Sequence, residues 1–225
     1  MHHGQAEAPK RTPPSWRASI AMATAAMGLV TGCADKSKPT RQELTVVLDT
    51  SEGPLVGATV FNVTDTTVPD YLASVATRNP KVRGEAVVFR LRDGTPLFAL
   101  LAKRGTEDPN IFASELWPLS DPRNTRSGRT VKLVREESWP LLAWFGNPAV
   151  PATIQEIAPD GGDVNGVRIA IRSVWVEQVD QPVTDTILEI LPWLRTHRGN
   201  MAGGNHYQSA TFETRISARQ FRTGY

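Results

Sequence analysis

From Glu43 onward the chain is written as short runs of β-branched and aromatic residues broken by turn residues, and it has few stretches with the period of an amphipathic helix. Leu44–Leu48, Ala58–Val63, Ala86–Leu91, Pro96–Leu101 and Thr130–Val134 are such runs, with Ser51-Glu52-Gly53-Pro54 and Asp93-Gly94 as turns between them. Such residues pack well on a pleated, half-buried surface, and strands linked by tight turns pair antiparallel. The pattern predicts a mainly β chain, an antiparallel β-sandwich in which Val46, Val60, Phe89 and Leu100 are buried. The single cysteine, Cys33, allows no intrachain disulfide, so the fold has to rest on its hydrophobic core.

The residues after Arg135 have a different flavour but the same class. Trp139–Gly146 is strongly apolar, and Asp160-Gly161-Gly162 and Asn165-Gly166 are turn signals. Val167–Arg172 alternates, with Ile169 and Ile171 on one face and Arg168 and Arg172 on the other; Val174–Glu177 continues it with the phase shifted, which predicts a bulge near Ser173. Pro182–Leu191 reads as a short helix with Thr186 as N-cap and Glu189 at capping-box spacing, stopped or kinked by Pro192. Thr211–Phe221 reads as a returning strand with Phe212 and Ile216 toward the core. The expected organisation is a β-sandwich over residues 43–135 and a smaller β-rich region over 136–225 containing the short helix.

The N-terminus has another character. Lys10, Arg11 and Arg17 precede an uncharged run from Ala18 to Val30, too short for a lasting membrane span but suited to a secretory signal. The run closes on Val30-Thr31-Gly32-Cys33, which resembles the lipobox of bacterial lipoproteins, with valine where leucine is commoner. The resemblance implies a signal peptide over 1–32, a lipid on Cys33 and a polar tether over 33–42. Ala34, where inner-membrane retention would want aspartate, implies the periplasmic face of the outer membrane. A core cysteine, or a leftover thiol beside an ordinary signal, are the alternatives. Residues 1–32 hold three of the 25 Lys and Arg but one of the 23 Asp and Glu, so the remainder is neutral and lacks the basic footprint of a nucleic-acid binder.

A second resemblance rests on Gly53-Pro54-Leu55-Val56-Gly57-Ala58-Thr59-Val60, Gly84–Phe89 and Asp93–Leu100, which together look like a transthyretin-like or carboxypeptidase-regulatory-like β-sandwich. Phe98 stands where that family carries tyrosine, and Pro80–Gly84 replaces its Thr-Asp-x-x-Gly turn. The resemblance implies a binding or assembly module.

The chemistry the sequence offers is sparse. No G-x-S-x-G elbow, phosphate-binding glycine loop or cysteine pair is present, and nothing nominates a carboxylate pair, a catalytic residue, a metal ligand set or a cofactor. The most site-like stretch is a glycine-rich loop that exposes adaptable hydrogen-bonding groups beside aromatic residues. Its candidate binding residues are Trp193, Arg195, His197, Arg198, Asn205, His206 and Tyr207. From Arg195 to Tyr225 five arginines face Glu213 alone, an excess that steers an acidic partner, lies near anionic lipid head groups or belongs to a solvated strand face. The expected function is a lipid-anchored, non-catalytic protein-interaction module of an envelope assembly. The alternatives are a periplasmic immunity or inhibitor lipoprotein that blocks a secreted toxin, and a metal-dependent or hydrolytic enzyme using His197 and His206.

Overall fold

Eleven residues, Thr40–Thr50, form the first strand, and where its neighbours come from decides the architecture. The computed structural model describes residues 39–68, 77–116, 131–158, 160–203 and 211–225, all within one compact unit, Ser37–Tyr225. Its strands are β1 (Thr40–Thr50), β2 (Leu55–Val68), β3 (Thr77–Glu85), β4 (Val87–Arg90), β5 (Pro96–Lys103), β6 (Val131–Leu133), β7 (Pro140–Phe145), β8 (Ile154–Ile157), β9 (Gly162–Val164), β10 (Val167–Gln178) and β11 (Arg222–Thr223). Among the described residues they make a seven-stranded antiparallel sheet, β11-β3-β2-β1-β10-β6 with β9 beside β10, and a four-stranded antiparallel sheet, β4-β5-β7-β8. Residues 43–135 and 136–225 supply strands to both sheets, so the boundary at residue 135, between β6 and β7, cuts across both of them.

The chain is mainly β, a sandwich with a small helical extension. Leu44, Val46 and Leu48 of β1, Phe61 and Val63 of β2, Phe89 of β4, and Ile169, Ile171, Val174 and Val176 of β10 fill the space between the sheets with Leu97, Ala99 and Leu101 of β5. The four positions expected inside, Val46, Val60, Phe89 and Leu100, are all buried. The alternation in β10 holds, with Arg168 and Arg172 exposed and Ile169 and Ile171 buried. Val47 opposes Ser173 while Leu48 opposes Ile171, so Arg172 is the extra residue of a bulge beside Ser173. Asn165 (φ 52°) and Gly166 (φ 80°) turn β9 into β10, the two left-handed residues that a tight hairpin requires.

β5 is apolar without alternation because it is covered twice. Phe98, Leu100 and Ala102 face away from the sandwich and meet Leu191, Leu194, Met201, Ile216 and Phe221, which form a third layer on the outer face of the small sheet. This layer holds α2 (Ile187–Ile190), a 3-10 turn (Pro192–Arg195), α3 (Phe212–Arg215) and α4 (Ala218–Phe221). A further helix, which we call α1 (Pro109–Leu116), closes against β3 and β5 and precedes all of these in the chain.

Two local expectations are corrected here. Thr211–Phe221 is not a strand: it forms α3 and α4, and the strand pairing with β3 is made by Arg222–Thr223. The reason is local, since Gln220 Oε1 accepts the Ser217 N–H and Oγ–H at 2.7 Å each and so starts a new helical turn. Ile216 is fully buried and Phe212 half-buried, as the sequence implied. The Thr186–Glu189 capping box is not made either. Thr186 does sit at the N-cap, but the buried carboxylate of Glu85 accepts the N–H groups of Thr186 and Ile187 and the Thr186 hydroxyl, at 2.9–3.0 Å. Pro192 ends the helix and opens the 3-10 turn.

Candidate functional site

The third layer is where the candidate residues fall. Its floor is an aromatic cluster: the Phe98 ring lies edge-on to Phe145 (5.7 Å) and Phe221 (5.4 Å), Phe145 meets Trp193 (5.8 Å), and Trp193 meets His197 (5.4 Å). Trp193 is therefore a half-buried joint rather than a protruding anchor, and its indole N–H donates to the Pro148 carbonyl at 2.7 Å. His197 is held from both ends. Its backbone N–H donates to the Trp193 carbonyl at 2.8 Å, and its Nε2 lies 2.9 Å from the Asn200 carbonyl. A carbonyl only accepts, so this contact places a proton on Nε2.

Asn200 bridges to Ser217, and the Met201 N–H donates to the Ile216 carbonyl at 2.9 Å, so the loop after His197 is stitched to α3 and α4. The packing leaves Arg195 and Arg198 exposed, with no ion pair among the described residues. Asn205, His206, Tyr207 and Cys33 lie outside the described residues.

Between this loop, α4 and the residues before α1 runs an open groove of about 580 Å³. Four arginines line it, Arg198, Arg215, Arg219 and Arg222, against Glu107 and Asp108. Two of the four are committed. Arg215 reaches Glu107 at 3.0 Å and Glu156 at 3.5 Å, and Arg222 meets both carboxylate oxygens of Asp185, at 2.9 and 3.2 Å. The Arg222 guanidinium also lies 3.4 Å from the centre of the Tyr225 ring, near which Arg83 stands at 4.6 Å. Burial pushes the Tyr225 phenol above its ordinary value and Asp185 adds to it, while the nearby arginines pull the other way. Arg219 is exposed and, like Arg198, has no ion pair among the described residues.

The sequence nominated Arg195, His197 and Arg198 and the arginine excess, and the structure brings Arg198 and His197 into one groove with Arg219. Glu107 and Asp108 were not foreseen, because no local signal links residues about ninety positions away to this loop. Among the described residues no three His, Cys, Asp or Glu side chains converge as metal ligands. No helix among them is long and apolar enough to cross a membrane. What the groove offers chemically is planar, weakly hydrated cations in a concave setting, suited to carboxylate or phosphate oxygens. Comparison of the chain with protein-family models, with curated proteins and with solved structures gives no match.

Proposed function

We propose that this chain is a non-catalytic protein-interaction module of the bacterial envelope, anchored by a lipid on Cys33 to the periplasmic face of the outer membrane. Its binding face is the third layer. The observation that carries the reading is the exposure of Arg195 and Arg198, without carboxylate partners among the described residues, on a loop fixed by Trp193, His197 and Asn200. A loop whose backbone is held in place before binding loses little freedom when a partner arrives, which favours recognition. Anchoring is supported by the sequence around Cys33. Only six residues separate Cys33 from Thr40, the start of β1, and a stretch of that length spans at most about 25 Å, so a lipid there would hold the sandwich close to its membrane.

Fatty-acid labelling tests the anchor: wild-type chain is expected to incorporate label and fractionate with membranes, and Cys33→Ser to do neither. An unlabelled wild-type chain refutes the anchor. For the binding face, captured envelope proteins are compared between wild type and Arg195→Glu plus Arg198→Glu. Loss of affinity by about tenfold or more is expected for contacts at an interface centre, and unchanged capture refutes this face.

A further inference from the structure

Of the four guanidiniums in the groove, two are already spent on the chain's own acids, and their fixed positions make a wall. Arg215 is tied to Glu107 and Glu156, and Arg222 to Asp185 and the Tyr225 ring. Arg198, from the loop after the 3-10 turn, and Arg219, from α4, are exposed and carry no ion pair among the described residues, yet they line the same depression. A concave surface with an excess of one charge concentrates its field on whatever enters, so these two cations attract anions more strongly than they would on a flat face.

We propose that the groove is a binding site for an acidic polypeptide segment, with Arg198 and Arg219 each taking a carboxylate. This rests on the third layer being the binding face and names what that face takes. Three features favour a peptide over an anionic membrane surface. The site is a depression of about 580 Å³, within the range that encloses a ligand of several residues' size, which a planar bilayer does not enter. An extended peptide brings backbone N–H donors that Glu107 and Asp108 on the groove wall can accept, which a phosphatidylglycerol surface does not supply. Leu194, Ala218 and Pro109 add apolar lining against which the aliphatic stems of glutamate side chains can lie. Guanidinium forks meet carboxylates bidentately, so the spacing of the acids along the peptide matters as well as their number.

The test uses the purified full chain in detergent and a fluorescein-labelled hexaglutamate, read by fluorescence anisotropy, with hexaglutamine and inorganic phosphate as further probes and phosphatidylglycerol vesicles in a sedimentation assay. Hexaglutamate is expected to bind about tenfold or more tightly than hexaglutamine, and to weaken by about tenfold or more in Arg198→Ala plus Arg219→Ala. Arg90→Ala plus Arg168→Ala removes the same charge from exposed positions outside the groove and is expected to stay within about twofold of wild type. Equal losses in the two double variants would show a bulk charge effect and overturn the proposal. So would inorganic phosphate binding as tightly as the peptide, or vesicle binding that depends on Arg198 and Arg219 while hexaglutamate does not bind. If hexaglutamate fails while envelope capture still depends on Arg195 and Arg198, the groove proposal falls and the binding face stands. If hexaglutamate binding depends on Arg198 and Arg219 while envelope capture is indifferent to Arg195 and Arg198, the groove stands and the envelope reading falls.

Discussion

Glu85 is 1% exposed and accepts hydrogen bonds from the N–H groups of Thr186 and Ile187 and from the Thr186 hydroxyl, so one carboxylate at the end of β3 sets where the third layer begins. Glu85→Gln keeps the shape but, whichever way the amide turns, sets its NH2 group against a backbone N–H of Thr186 or Ile187, which only donates. The expected cost is about 1–3 kcal/mol, the penalty for leaving a buried polar group unsatisfied, measurable by urea denaturation. Asp93 is the exposed counterpart. Its Oδ1 accepts the Thr95 N–H at 2.8 Å and its Oδ2 accepts from the Thr95 hydroxyl and Asn165 Nδ2, which links the β4–β5 turn to the β9–β10 turn. The Thr95 backbone and hydroxyl, then Asn165, hold the Asp93 carboxyl below its ordinary value of 3.8. A carboxyl depressed in the folded state binds its proton more readily when unfolded. Its stabilisation is therefore present above pH 3.8 and is lost as pH falls through the lower folded value. Asp93→Asn is expected to flatten the decline of stability below about pH 4, followed by denaturation midpoints across that range; an unchanged slope would count against the contact.

Among the elements, those legible from sequence carry their own periodicity. β10 shows alternation and a phase slip at its bulge, and Asn165-Gly166 announces a hairpin with a defined backbone. Those missed have no such signature. β3 runs Thr-Arg-Asn-Pro-Lys-Val-Arg-Gly-Glu with Val82 as its one aliphatic residue after Thr77, and it is a strand because β2 extends far enough to pair with it from Asn62 to Val68. The 211–221 stretch misleads because Phe212 and Ile216 share a face in a strand as they do in a helix, while Phe221 continues neither; two one-turn helices reconcile them, and the Ser217–Gln220 contact decides where the second begins. β5 is the element with most at stake, since both its faces are buried. Phe89→Ala in the sandwich core and Phe98→Ala under the third layer are each expected to cost about 3–5 kcal/mol by chemical denaturation. The Phe98 change should in addition disturb the Phe145–Trp193 contact, seen as a shift in tryptophan emission.

At the scale of the whole molecule, the sequence announces a mainly β sandwich but not how strands distant in the chain are paired. The candidate site divides in the same way: Arg195, His197 and Arg198 were legible as one loop, whereas Arg219 and the acids before α1 join them only through the folding of the third layer. The placement of β10 also bears on how such a chain comes to be folded. β1 ends at Thr50 and waits for Val167 before its second neighbour exists, and β3 waits for Arg222. Contacts this far apart are closed late, because the entropy of looping the intervening chain is spent before any of them forms. A partly synthesised chain thus holds β1 with one side open until β10 is made, through Gln178, and β5 with one face bare until Phe221 follows. Folding in milliseconds to seconds rather than microseconds is the expected result. Chain lacking residues beyond Gly199 should accumulate as protease-sensitive, aggregation-prone material, since it keeps the outer face of β5 without Met201, Ile216 and Phe221 to cover it.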